Sequence, residues 1–241
     1  MKIVIFSDVH SNLEALEAFL SALKKENPSL FIFVGDVVGY GADPEKVAKK
    51  IKEITDIGVA GNHDYAVIGK TPLHFFNEIA RRAAEWTMNN ITKETKEFLS
   101  ELPLIARYED FTIVHGSFSS PESWEYILSL EHAWREFHHF DTQIGVVGHS
   151  HVPFAVRFNN EKIEEIFDKE FKIENEWRYL LNPGSIGQPR DGDPRASFII
   201  YDKNSKIISF KKVKYDVKKA QEKIIKKGLP HYLAERLAYG R

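Results

Sequence analysis

The chain has 241 residues, 43% hydrophobic and 28% charged, with a formal net charge of −2. That length can bury a real core, and the balanced charge gives a nucleic-acid or membrane partner no electrostatic basis, so neither is expected. Cysteine is absent, which excludes disulfides and thiolate metal sites and leaves only nitrogen and oxygen ligands for any metal. Residues 2–6, "KIVIF", read as a buried strand. The run is too short for a signal peptide and Asp8 follows it, and no segment approaches the roughly 20 apolar residues of a membrane span. A cytoplasmic location is expected. Ser11 with Glu14 resembles a capping box, opening a helix with Leu13, Leu16, Leu20 and Leu23 on one face. Residues 30–36 read as a second strand, 45–54 as a helix burying Val47, Ile51 and Ile54, and 58–64 as a third strand and turn. Such alternation predicts parallel strands with helical returns. Thr71-Pro72 opens a predicted helix through about Asn90, striped by Phe76, Ile79, Ala83 and Trp86, and a shorter helix ends at Pro103.

The second half is β-rich. Strands are expected within 111–117, 144–151, 154–160, 162–167, 178–185, 196–202 and 206–216, with a hairpin turn at Asn159-Asn160. The tail, about 216–239, reads as helical with a break at Gly228-Leu229-Pro230. No repeat or linker divides the chain, so 1–241 is expected to be one domain with two sheets and outer helices.

Five apolar runs end in metal-type donors: "FSDVH" with Asp8 and His10, "VGDVV" with Asp36, "AGNHD" with Asn62, His63 and Asp64, "VHG" with His115, and "VGHSH" with His149 and His151. Loops after strand carboxyl ends form the ligand crevice of an open α/β sheet. Residues i and i+2 of an extended chain point the same way, so Asp8 with His10 and His149 with His151 are each expected to act as a pair. Any one of these histidines alone is more simply structural. His74, His132, His138, His139 and His231 lack the pattern and read as ordinary surface or packing residues. Together, converging polar groups need a cation, because burying them unpaired is costly. Asp8, His10, Asp36, Asn62, His115, His149 and His151 exceed the roughly four ligands of one zinc-like ion and suit two ions on the order of 4 Å apart. The glycines of "GDVVGYG" are not a P-loop, because no "GK[ST]" follows.

The order D-x-H, G-D, G-N-H-D, H, G-H-x-H, running from residue 8 to residue 151, resembles the calcineurin-like metallophosphoesterases, and "NPGS" at 182–185 matches a segment of their small prokaryotic members. The resemblance implies a four-layer αββα sandwich, an α/β (α+β) fold with two mixed central sheets. It implies Asp8, His10 and His151 at a first metal, Asn62, His115 and His149 at a second, and Asp36 between them. It makes His63 the catalytic histidine that protonates the leaving oxygen, which requires a protonated ring near pH 7. The implied activity is hydrolysis of phosphate monoesters or diesters by a metal-bridging water, on a small phosphorylated substrate. The donor types suit Mn²⁺, Fe, Zn²⁺, Co²⁺ or Ni²⁺, with Mn²⁺ the first choice.

One departure stands out. Many relatives continue the second motif as G-D-x-x-D-R-G, where this chain has Gly39 and Tyr40 at the Asp and Arg positions. The Asp would orient the catalytic histidine and the Arg would contact phosphate. Asp64, and after it Asp43, are the candidates for the first task. Arg190 and Arg195, in the loop 182–197, are the candidates for the second, since guanidinium grips phosphate in bidentate fashion. Asn12 either reaches the substrate or starts a helix. The alternative function is a non-catalytic scaffold on the same fold. Scaffolds of this kind tend to lose the catalytic histidine, and His63 is present. A nuclease is a lesser idea, lacking a basic stripe to support it.

Overall fold

Strand β1 (Lys2–Phe6) is buried on both faces because Ile3 to Phe6 are all apolar. Ile3 and Ile5 point into one core, Val4 and Phe6 into another. Such a strand lies in the middle of stacked layers, and the computed structural model, which describes residues Met1–Arg241, contains them. Helix α1 (Leu13–Leu23) is capped by Asn12, whose Oδ1 accepts from Ala15 N. The cap is therefore not the expected Ser11, which sits at φ 55 inside the preceding turn. β2 (Leu30–Phe33) and α2 (Pro44–Ile54) follow as expected, α2 burying Val47 and Ile51. β3 (Ile57–Gly58) is shorter than predicted, and "NHD" does not continue it: α3 (Asn62–Val67) starts at Asn62.

The helix expected over 71–90 is split. Leu73–Phe75 form one 3₁₀ turn, and Asn77 then caps α4 (Glu78–Met88) by accepting from Ala80 N. Phe76 falls in the break and leaves the helical stripe. α5 (Lys93–Glu101) stops ahead of Pro103. β4 (Ile105–Tyr108), paired with β5 (Phe111–Val114), and α6 (Leu130–Glu136) were not expected; both are short and partly exposed, with no long periodic run to announce them. β6 (Ile144–Val146), β7 (Phe154–Phe158) and β8 (Ile163–Glu165) come next. The Asn159-Asn160 turn joins the last two, Asn159 Oδ1 accepting from Glu161 N and Lys162 N. β9 (Glu170–Lys172) is a third unexpected piece, followed by β10 (Arg178–Asn182), β11 (Ala196–Asp202) and β12 (Ile207–Val213). The tail forms α7 (Val217–Lys226) and α8 (His231–Glu235), broken where Gly228 takes φ 70.

Two six-stranded mixed sheets result, ordered β3-β2-β1-β11-β12-β9 and β4-β5-β6-β10-β7-β8. Ile3, Ile5, Ile32 and Val34 of the first pack against Phe111, Ile113, Val146 and Leu181 of the second. Helices α1 and α2 cover the outer face of the first sheet through Leu16, Phe19 and Ile51, while Phe137 of the segment closing α6 covers the second through Phe158 and Leu180. This is the expected four-layer αββα sandwich. A fully buried side chain of this size contributes roughly 1.5–3 kcal/mol, so the apolar layers hold the fold and free the strand-end loops for polar chemistry. β1 and β2 are parallel, as are β5 and β6, so the loops after these four strands gather at one end. No helix is long and apolar enough to cross a membrane.

Candidate metal centre

The donors arrive on tightly turned backbone. Asp8, His10, Asp36, His149 and His151 all have positive φ, between 47° and 65°. The left-handed region costs non-glycine residues on the order of 1 kcal/mol or more each and persists only where the surroundings enforce it. The expectation that i and i+2 pair through an extended chain is therefore wrong in its reason: each strand has already ended, and a left-handed turn aims each side chain. Cross-loop bonds fix these turns. Asp8 N donates to Gly35 O at 2.9 Å, Val9 N to Asp36 O at 2.9 Å, and Gly148 N to His115 O at 2.9 Å.

Two groups of donors form. In one, Asp8, His10, Asp36 and His151 offer atoms all within 4.8 Å of one another; in the other, Asp36, His115 and His149 do the same. Asp36 belongs to both. Its Oδ2 lies 3.4 Å from His10 Nε2 and 3.2 Å from His115 Nε2, and Asp8 Oδ1 lies 3.1 Å from His151 Nε2. All six residues are buried. Three rings have their tautomer set from behind. Nδ1–H of His10 donates to Val38 O at 3.0 Å, that of His115 to Val34 O at 2.7 Å, and that of His151 to Gln188 O at 2.6 Å. With Nδ1–H so committed, the Nε2 of each ring faces inward, the arrangement that orients a metal-binding histidine.

The inward atoms do not satisfy one another. Asp8 Oδ1, Asp36 Oδ2, Asn62 Oδ1 and His115 Nε2 are buried without a hydrogen-bond partner. His10 Nε2 and His151 Nε2 stand 3.0 Å apart with both protons committed elsewhere. Such a cluster of lone pairs is unfavourable without positive charge among them. The electrostatics agree. Against the opposing effect of burial, Asp36 and Asp8 draw His115 up to about 9. Burial raises Asp8 and Asp36, yet neighbouring histidines hold both below the usual carboxylate range. The residues present therefore fit divalent cations bound by nitrogen and oxygen.

His63 begins α3 beside this cluster. Its backbone N donates to Asp36 Oδ1 at 2.9 Å, and its ring stands between Tyr40 and Phe76, centroids at 4.3 and 4.9 Å. Nδ1 is buried against Gly39 and has no acceptor, so no carboxylate orients the ring. Aromatic packing does so instead, with Tyr40 one wall. Burial pushes the ring down to about 4, with Asp36 opposing and Arg190 assisting. The protonated ring that leaving-group protonation requires is thus disfavoured by burial in the free protein.

Four candidate residues are engaged elsewhere. Asp64 does not touch the His63 ring. Its oxygens accept from Asp36 N at 2.9 Å, Gly61 N at 3.0 Å and Val38 N at 3.2 Å, clamping the Asp36 loop to the start of α3. Burial and the Asp36 charge push its carboxyl up to about 7, against the hydrogen bonds from the Gly61 and Val38 backbone. Asp43 is likewise engaged elsewhere, by Lys223 Nζ at 2.6 Å. Asn12 is consumed by its helix cap and by donating Nδ2–H to Gly187 O at 2.8 Å. Arg195 pairs with Asp193 at 2.6 Å and lies outside the cleft over the donors. Arg190 does line that cleft, held by Gln188 Oε1 at 2.8 Å with its guanidinium 5.8 Å from the Tyr40 ring centre. The rest of the loop is a brace: Asn182 Nδ2 donates to Gly148 O and Ser185 Oγ to Asp8 O, tying loops of both sheets together. The quoted "NPGS" marks that brace, but its partners are unreadable without the fold.

The Asp64 assignment carries a prediction. Asp64→Ala strands three buried N–H groups, each worth about 1–3 kcal/mol. A loss of at least about 3 kcal/mol in urea unfolding is expected, with weakened metal uptake. An unchanged urea midpoint with only kcat lowered would return Asp64 to orienting His63.

Known proteins resemble this chain over most of its length. A model of the calcineurin-like phosphoesterase superfamily domain matches residues 1–206. An uncharacterized protein of Methanocaldococcus jannaschii is 40% identical over 244 residues, 99% of this chain and 98% of that one. The solved metallophosphoesterase of Sphaerobacter thermophilus is 39% identical, with a TM-score of 0.88 over 100% of this chain and 99% of that one. The phosphodiesterase YfcE of Escherichia coli is 26% identical over 212 residues, 84% of this chain and 88% of that protein. In sequence, fold and a buried Asp/His cluster able to hold divalent metal, the chain belongs to the calcineurin-like phosphoesterase superfamily.

Proposed function

We propose that this protein hydrolyses phosphate monoesters or diesters with two divalent cations, Mn²⁺ first among them, and that His63 serves the leaving group. The observation that carries this reading is the pair of donor groups sharing Asp36, whose unpartnered oxygens and nitrogens face one buried space. Two cations, when bound there, would neutralise phosphate oxygens and acidify a water. Asp8, His10, Asp36 and His151 would hold one, and Asp36, Asn62, His115 and His149 the other. Arg190 is placed to meet a phosphate oxygen from the cleft wall. His63 lines the same cleft. As the imidazolium, the ring would give a proton to the leaving oxygen and return to the neutral form. A bound phosphate raises the ring's affinity for a second proton. The scaffold alternative has no observation in its favour, since it needs neither unpartnered buried donors nor a cleft above them.

The test is a panel of phosphomonoesters, phosphodiesters, cyclic nucleotides and dinucleoside polyphosphates, assayed with Mn²⁺ and after EDTA. Turnover of at least one class is expected, lost on chelation and restored by added Mn²⁺. Undiminished hydrolysis in EDTA overturns the proposal.

A further inference from the structure

The cleft above the donors is far larger than a phosphate group requires. It encloses about 640 Å³, roughly twenty times the ~30 Å³ share of a water molecule in the liquid. Its walls are aromatic. Phe75 and Phe76 come from the 3₁₀ turn and the break after it, Trp124 and Tyr126 from the loop following β5. Phe75 is 73% exposed and Tyr126 43% exposed. Large rings open to water around a polar floor mark a binding surface. These rings also touch the chemistry. Tyr126 stacks on His149 with centroids 3.9 Å apart and planes at 20°, and Phe76 meets His63 edge-on. Trp124 is held in the left-handed region at φ 56, backbone strain of the kind found at functional sites. Lys70 and Arg190 add positive charge to the same cleft.

Building on the phosphoesterase reading above, we propose that the substrate is a nucleoside phosphate ester whose base stacks on these walls while its phosphate meets the donor groups. An aliphatic ester would leave the walls wet. Every base has a flat π-face, so stacking selects for a ring while tolerating which base it is.

Ribose 5-phosphate and adenosine 5′-phosphate share the reacting phosphate and leaving oxygen and differ only in the base. Their uncleavable phosphonate analogues, titrated calorimetrically into the Mn²⁺-loaded protein, separate binding from turnover. The adenosine analogue is expected to bind about 5- to 150-fold tighter, the range of one stacked base. Phe75→Ala and Trp124→Ala should each shrink that ratio by at least about threefold and leave the ribose analogue's affinity unchanged. Equal affinities, no binding of either analogue, or a ratio that neither variant alters overturns the proposal. Turnover is read separately. Tight binding of the adenosine analogue with no hydrolysis of any class in the panel above removes the phosphoesterase reading and keeps the ring site. Hydrolysis with no preference for the base does the reverse.

Discussion

Asp36→Asn is expected to lower bound metal from about two equivalents to one or none, and turnover by on the order of 10³ or more, equivalent to several kcal/mol of charge stabilisation. Asp36 is the one carboxylate common to both donor groups. The substitution is nearly isosteric, and the amide oxygen can still accept from His63 N, the bond that seats α3 against this loop. The change is thus confined to the negative charge facing His10 and His115. Elemental analysis after dialysis measures the first effect, and steady-state kinetics the second. Urea unfolding of the metal-free protein should show the fold intact. Two full equivalents of metal in the variant would falsify the shared-ligand assignment.

His63→Ala should behave in the opposite way, keeping its metal and losing turnover by about 10²–10⁴, the usual worth of general acid help. Metal retention is expected because His63 supports Asp36 through its backbone N–H, which alanine also has. The loss should depend on the leaving group. An alkoxide needs a proton as it departs, whereas p-nitrophenolate is stable without one, so the deficit should be large for alkyl esters and shrink toward unity for nitrophenyl esters. An equal deficit for both would remove His63 from proton donation and leave it a packing role between Tyr40 and Phe76.

The donor set was legible in the sequence because each donor sits in a short contiguous run at a strand end, and because Asp and His recurring there have no cheap bland explanation. The same stretches misled about local geometry. "GNHD" reads as strand, yet α3 spans only Asn62–Val67, too short for a 3.6-residue pattern to show. That error concealed Asp64, which as the third residue of the helix faces back to Gly61 N and the Asp36 loop. Asn12 illustrates a balanced ambiguity: the same amide suits a helix cap or a substrate, and only Ala15 N and Gly187 O decide it. Arg190 and Arg195 are five residues apart in one loop, but the Asp193 carboxylate, which also meets Lys212, claims the second. The aromatic walls were invisible for another reason. Phe75, Trp124 and Tyr126 share no period and no motif, and only the fold brings them to one cleft.

Both sheets contribute to the centre. Asp8 and Asp36 follow strands of the first, His115 and His149 follow strands of the second, and their spacing is fixed by hydrogen bonds such as His115 Nδ1–H to Val34 O together with the packing of Ile5, Ile32 and Val34 on Ile113 and Val146. Close-packed apolar layers resist sliding and transmit small shifts faithfully. The spacing between donors of the two sheets is therefore set partly at a distance, by methyl groups in the slab between the sheets.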